Sequence, residues 1–195
     1  MWISFNEPGL TAWTCYGNGG MAPGRSDNPG TYPYIVTRNI ILAHAEGYHV
    51  LKDKYSFQKG TFFVTVLWYF LKIKEINIDM DNILLSVISH LGQYGITYSI
   101  GWAEPLDPFN LTHIEASERK LQFDAGWYLN PIYVNGDYPE VMKQKVAEKS
   151  RKQNLTSSRL PPFSEEEKQR INRMHLYLFQ LPCTLINLFE AKEAY

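Results

Sequence analysis

The opening residues limit the fold more than anything else in this chain. Trp2–Asn6 (WISFN) alternates as a strand does, and Pro8 disfavours helical geometry at Glu7 and stops the run. A Gly/Pro-rich loop follows over Pro8–Pro33. From Pro33 the period changes: Val36, Ile40, Ala43, Gly47, Val50 and Leu51 recur at the spacings of an amphipathic helix, which the pattern carries from about Tyr34 to Tyr55. Residues 95–100 (GITYSI) then read as a second strand. Strand, crossover helix and strand make a βαβ unit, so Trp2–Asn6 and Ile96–Ile100 should be neighbouring parallel strands.

Downstream, Thr112 and Glu115 (THIE) are spaced as a capping box, opening a helix with Ile114, Leu121, Ala125 and Tyr128 on one side. Pro139 stands at the first turn of another helix. Ser164 and Glu167 form a second capping box after Pro161 and Pro162. Segment 138–173 holds nine basic and five acidic residues, a surplus that reads as a solvated helical face. With 19 basic against 20 acidic side chains overall, the 195-residue chain has no broad electrostatic footprint for nucleic acid. Its 45% hydrophobic content suffices for a packed core. Residues 1–10 lack the basic start of a signal peptide. The most apolar run, Phe62–Leu71, is about half the ~20 residues a transmembrane helix needs. Cys15 and Cys183 cannot build a disulfide framework.

Several motifs fail on context. Gly17–Ala22 (GNGGMA) matches G-x-G-x-x-A, but Pro23 and Gly24 follow at once, so no helix opens there to hold a dinucleotide. A glycine-rich loop that passes close to a wall or ligand fits better. His44 and His49 lie roughly 140° apart around the helix and cannot share a metal as an i, i+4 pair can. No G-x-S-x-G elbow supports a serine nucleophile. No cofactor or metal is expected. Asn110 and Asn154 each head an Asn-Leu-Thr triplet, a glycan-acceptor pattern that also arises by chance and leans towards a secretory ancestor.

Glu7 is the informative position. A carboxylate at the C-terminal end of a parallel strand, next to Asn6, is where a β/α barrel places its chemistry. Trp2, Phe5, Trp13 and Tyr16 offer a partly apolar pocket around it. Such surroundings favour the protonated carboxyl, the form that donates to a glycosidic oxygen as a general acid.

From these residues onward the chain resembles the family 1 glycoside hydrolases, the β-glucosidases with their lactase-like and klotho-like relatives. In family order, WISFNEP resembles the fourth barrel strand with its acid/base motif, and GNGGMAPGRSDNPGTYPY the loop after it. NIILAHAEGYHVLKDKY resembles helix four, and GQYGITYSIGWAEPLDP strand five with its loop. ERKLQFDAGWYLNPIYVNGDYPEVMK resembles helix five with its turn, and RLPPFSEEEKQRINR the approach to strand six. The resemblance implies an α/β fold, a partial (β/α)8 TIM barrel from strand four to the approach to strand six, and retaining hydrolysis of a β-glycoside or oligosaccharide. It makes Glu7 the catalytic acid/base, Asn6 the partner of the sugar 2-hydroxyl, and Trp102 a border of the aglycone side.

The chain also departs from the family. Strands one to three, with their sugar-binding Gln and His, are missing. Residues 61–92 resemble nothing in the family, and removing them joins QKG to QYGITYS in frame, as a retained intron would. Bulky side chains there, such as Phe62, Phe63, Trp68 and Phe70, should then be more exposed than core residues. Residues 174–195 read as an unrelated tail, so 1–173, interrupted at 61–92, is the barrel segment. A complete barrel typically takes ~250 residues. The family nucleophile lies in a Glu-Asn-Gly motif, and none of the 13 glutamates here precedes Asn. Glu104 follows a strand, yet it sits in a stretch that is structural in the family. Two rivals to an acting hydrolase follow: a klotho-like, non-catalytic binding module, which an intact Asn6–Glu7 pair argues against, and a partial or mis-spliced gene product.

Overall fold

The structure is a computed structural model that describes residues 2–56, 66–67, 94–99, 101–172, 174 and 180–181. Strand β1 (Trp2–Asn6) leads through a short helical turn, Pro8–Leu10, and a π-helical turn, Thr11–Cys15. Helix α1 (Tyr32–Lys54) follows, with Pro33 in its first turn, where a missing N–H leaves no hydrogen bond unmade. Val66–Leu67 forms β2 and Tyr94–Ser99 forms β3. Then come α2 (Leu111–Asp124), α3 (Glu140–Lys152), α4 (Glu165–Asn172) and β4 (Gln180–Leu181). The sheet order is β1-β3-β2-β4 and every described pairing is parallel.

The expected strand–helix–strand unit is present. β1 and β3 are adjacent and parallel, with Trp2 opposite Tyr94, Ile3 opposite Gly95 and Asn6 opposite Thr97, and an irregularity before Asn6. The stretch 61–92 contributes β2 beside β3, and the tail contributes β4 beside β2. The exposure expected of Phe62, Phe63, Trp68 and Phe70 concerns positions outside the described residues.

The buried face of α1 differs from the apolar stripe in the sequence. Thr37, Ile40, Ile41, His44, Ala45 and His49 are buried, whereas Ala43 and Val50 are exposed. The reason is hydrogen bonding, because a polar side chain can occupy the inner face when a partner meets it there. The Thr37 and Tyr128 hydroxyls lie 2.7 Å apart, His44 Nδ1 is 2.7 Å from Ser4 Oγ, and His49 Nε2 is 2.9 Å from the Arg170 carbonyl oxygen. Two ion pairs fasten α1 to α4: Arg38 Nη2–Glu167 Oε1 at 2.6 Å and Arg170 Nε–Glu46 Oε1 at 2.7 Å.

The core between sheet and helices contains Ile41, Ile96, Tyr128, Ile132, Tyr138, Met142 and Ile171, all fully buried. Each such aliphatic side chain contributes about 1.5–3 kcal/mol through removal from water. The single face expected for Ile114, Leu121, Ala125 and Tyr128 is broken, because α2 ends at Asp124 and a new turn, Gly126–Leu129, carries Tyr128 into the core. The box expected at Thr112 and Glu115 also moves. Asn110 caps α2, its Oδ1 accepting the Thr112 N–H at 3.0 Å, since Asn in an extended conformation outcompetes a Thr two residues on. At α4 the box forms as expected: Glu167 N–H donates to Ser164 Oγ at 3.2 Å, and Ser164 N–H donates to Glu167 Oε2 at 2.8 Å.

Candidate active site

Glu7 is the first residue beyond β1, and its backbone is fixed from both sides. Its N–H donates to the Thr97 carbonyl of β3 at 2.9 Å, and its own carbonyl accepts the Thr11 N–H at 3.0 Å. Its φ of 48° and ψ of 58° are left-handed, a conformation that costs a non-glycine residue about 1–2 kcal/mol. Buried Pro8 follows at once, and the chain turns into Pro8–Leu10 instead of extending the strand. The sharp turn therefore places the carboxylate at the C-terminal rim of the parallel pair.

Glu7 lines a cleft of ≈ 580 Å³ together with Gly9, Leu10, Trp13, Tyr98, Phe123, Asp124 and Trp127. Leu10 and Trp13 are about half exposed, so the cleft has an apolar lip. Behind the lip, Trp13 meets the buried Trp127 edge to face, with ring centroids 6.3 Å apart. The glycine-rich loop braces that wall from outside. Gly17 and Asn18 donate their N–H groups to the Trp13 carbonyl at 3.0 and 2.8 Å, and a Cβ on Gly17 would lie 2.6 Å from the same oxygen.

Tyr98 forms the floor. Its phenol donates to the Asp124 carbonyl at 2.7 Å, and its ring lies 4.8 Å from that of Tyr128. A Cβ on Gly9 would come within 3.1 Å of the Tyr98 ring and hydroxyl, so glycine lets the Glu7 turn rest on the tyrosine. Burial pushes the Tyr98 phenol well above its ordinary range, and nearby Tyr128, Asp124 and Glu7 add to the shift. Tyr98 is therefore a neutral donor and not a base. Asp124 at the cleft's edge is ion-paired with Lys120 one helical turn earlier.

Of the four aromatics expected around Glu7, the cleft takes only Trp13. Trp2 begins β1, about 13 Å along the strand from Asn6 at ~3.3 Å per residue, and is half exposed. Asn6 is exposed beside Glu7 and in register with Thr97. Trp102 is half-buried in the connection after β3, outside the Glu7 cleft, and Glu104 is exposed in the same connection. The Phe123, Asp124 and Trp127 side of the cleft escapes a reading of the sequence. The i, i+4 spacing of Phe123 and Trp127 is the one signal that could have found it, and the break at Gly126 hides which way that pair faces. A second cleft of ≈ 560 Å³ between α2 and α3 is bordered by Glu115, Glu118, Arg119 and Lys143 and has no residue from the strands.

Among the described residues no group of three or more His, Cys, Asp or Glu side chains could hold a metal ion, and no helix is long and apolar enough to cross a membrane.

Comparison with known proteins places this geometry. The family model for glycosyl hydrolase family 1 matches residues 1–70 and 82–181. Human lactase/phlorizin hydrolase is 42% identical over 171 residues, covering 88% of this chain and 7% of that protein. Human cytosolic β-glucosidase is 32% identical over 171 residues, covering 87% of this chain and 29% of that protein. A rice Os3BGlu6 β-glucosidase, solved as a glutamate-to-glutamine mutant in a covalent complex with Glc, superposes with a TM-score of 0.60 at 28% identity over 88% of this chain and 29% of its own. The parallel β1–β3 pair and its covering helices are thus part of a (β/α)8 barrel, and the chain spans less than a third of each of these relatives.

Proposed function

The chain belongs to glycosyl hydrolase family 1, and from that premise we propose that it supplies the acid/base half of a retaining β-glycosidase site, acting on β-glycosides or oligosaccharides. Glu7 is the proposed acid/base, Asn6 holds the sugar 2-hydroxyl, and Trp102 borders the aglycone side. The observation that carries this reading is the placement of Glu7 beyond the C-terminal end of a parallel strand, in a cleft walled by Trp13 and Trp127. A protonated Glu7 donates to the glycosidic oxygen as the bond to the anomeric carbon breaks, and the resulting carboxylate later takes a proton from the water that releases the sugar. Its left-handed turn and the Tyr98 floor keep the carboxyl from following the strand direction away from the cleft. The apolar lip at Leu10 and Trp13 suits a sugar face or an apolar aglycone.

Retention also needs a nucleophilic carboxylate ~5–5.5 Å from the acid. The 13 glutamates of this sequence include none in the family's Glu-Asn-Gly setting, so the 195 residues alone should not turn over substrate. The same proposal takes 1–173 as the barrel segment, 61–92 as an insert and 174–195 as a tail. The family match breaks at 71–81, inside the proposed insert, while it takes in 61–70, 82–92 and the tail as far as 181.

The test is hydrolysis of aryl β-glucosides and β-galactosides by the purified chain and by Glu7→Gln. No turnover is expected from either. Turnover that disappears in Glu7→Gln would overturn the missing nucleophile and direct attention to Glu104.

A further inference from the structure

We propose that Asn110 and Asn154 are acceptor sites for N-linked glycans, independently of the hydrolase reading. Both head Asn-Leu-Thr triplets, and in both cases the Asn and the Thr are exposed. Each stands where a helix meets a turn. Asn110 caps α2 through Oδ1, which accepts the Thr112 N–H at 3.0 Å, so the cap uses the carboxamide oxygen and not its nitrogen. This turn also brings the third residue of the triplet back towards the first. Asn154 lies just beyond α3 at φ 59°, a left-handed position that Asn tolerates well. Its N–H donates to the Arg151 carbonyl at 2.9 Å, and Leu155 N–H donates to the Ser150 carbonyl at 3.1 Å, so the backbone is fixed while the side chain is exposed. Asn130 shows the contrast: its Nδ2 donates to Asn135 Oδ1 at 3.0 Å and to the Asp137 carbonyl at 2.7 Å, and no triplet follows it. Neither acceptor lines the Glu7 cleft.

The co-reactant is a polyisoprenyl-pyrophosphate-linked oligosaccharide. The Asn Nδ2 forms a bond to the anomeric carbon and loses one proton. The bond from that carbon to the pyrophosphate oxygen breaks, and the polyisoprenyl pyrophosphate departs with the electron pair.

The full 195-residue chain, directed into the secretory lumen of a eukaryotic cell by a cleavable signal, is compared with Asn110→Gln, Asn154→Gln and the double variant. Whole-cell extracts are digested with an N-glycan-removing amidase and run on a gel. Because transfer happens on entry to the lumen, a chain that is retained there is read equally well. Two steps of mobility should be lost from the parent chain, one from each single variant and none from the double. Thr112→Ala and Thr156→Ala, which break the triplets but keep both Asn residues, should reproduce the single-variant bands. A parent chain with no digestible shift, or a shift that persists in the double variant, would overturn the proposal. A single variant that runs like the parent would overturn it at that site.

Discussion

His44 is fully buried on the inner face of α1, and its environment accepts only the neutral ring. Its Nδ1 lies 2.7 Å from Ser4 Oγ, which also meets the Gly95 carbonyl at 3.0 Å. Nε2 has no hydrogen-bond partner among the described residues. The ring stacks on Tyr94, with centroids 5.0 Å apart. Burial lowers the His44 pKa from 6.5 to about 3. With the folded value below the unfolded one, the unfolded chain binds the extra proton. The contribution is thus complete above pH 6.5 and is lost as pH falls towards 3, by up to about 1.4 kcal/mol per unit. Urea midpoints of the parent should fall between pH 6.5 and 5, whereas His44→Gln, less stable throughout, should be flat there. A parent equally stable across that window would contradict neutral burial. The sequence disclosed Glu7 because a proline ends its strand, and Trp13 because it lies close by in the chain. It concealed His44 and Tyr98, because apolar periodicity cannot show that a polar atom will find its partner inside the fold.

The elements were more legible than their inward faces. β1 and α1 could be read from alternation, a proline stop and a change of period, since these are local constraints. The buried stripe of α1 was not legible, because Thr37, His44 and His49 take core positions through partners more than thirty residues away. Helix starts divide in the same manner. Ser164 and Glu167 act as their spacing implies, and Glu167 also reaches Arg38 of α1. Thr112 and Glu115 have the same spacing, but Asn110 is already the cap. Asn110→Ala should therefore cost about 1 kcal/mol, as should Ser164→Ala. Thr112→Ala should stay within about 0.5 kcal/mol. Chemical denaturation of the three variants checks this, and a Thr112→Ala loss equal to that of Asn110→Ala would restore the box.

At the scale of the whole molecule, β1 stands at the edge of the described sheet with Trp2 and Ile3 about half exposed, an edge open to a further strand. The barrel ancestry was legible because its motifs follow one another in family order, and order survives where individual faces cannot be predicted. The limits of 61–92 and 174–195 were less legible: Val66–Leu67 and Gln180–Leu181 both enter the sheet, and the family match takes in both pairs. What matters most is whether Glu7 protonates a leaving group when the rest of a barrel surrounds it. The most direct measurement replaces the matching segment of human cytosolic β-glucosidase with residues 1–173 of this chain, leaving the remainder of the human enzyme to provide the nucleophile. Rates of the graft and its Glu7→Gln variant are then compared on a dinitrophenyl β-glucoside, whose leaving group needs no proton, and on an alkyl β-glucoside, whose leaving group does. Glu7→Gln should slow the alkyl glucoside by about 10²–10⁴-fold while bond cleavage in the dinitrophenyl substrate is largely retained. Equal alkyl-glucoside rates in the graft and its Glu7→Gln variant would contradict the assignment of Glu7 as the acid.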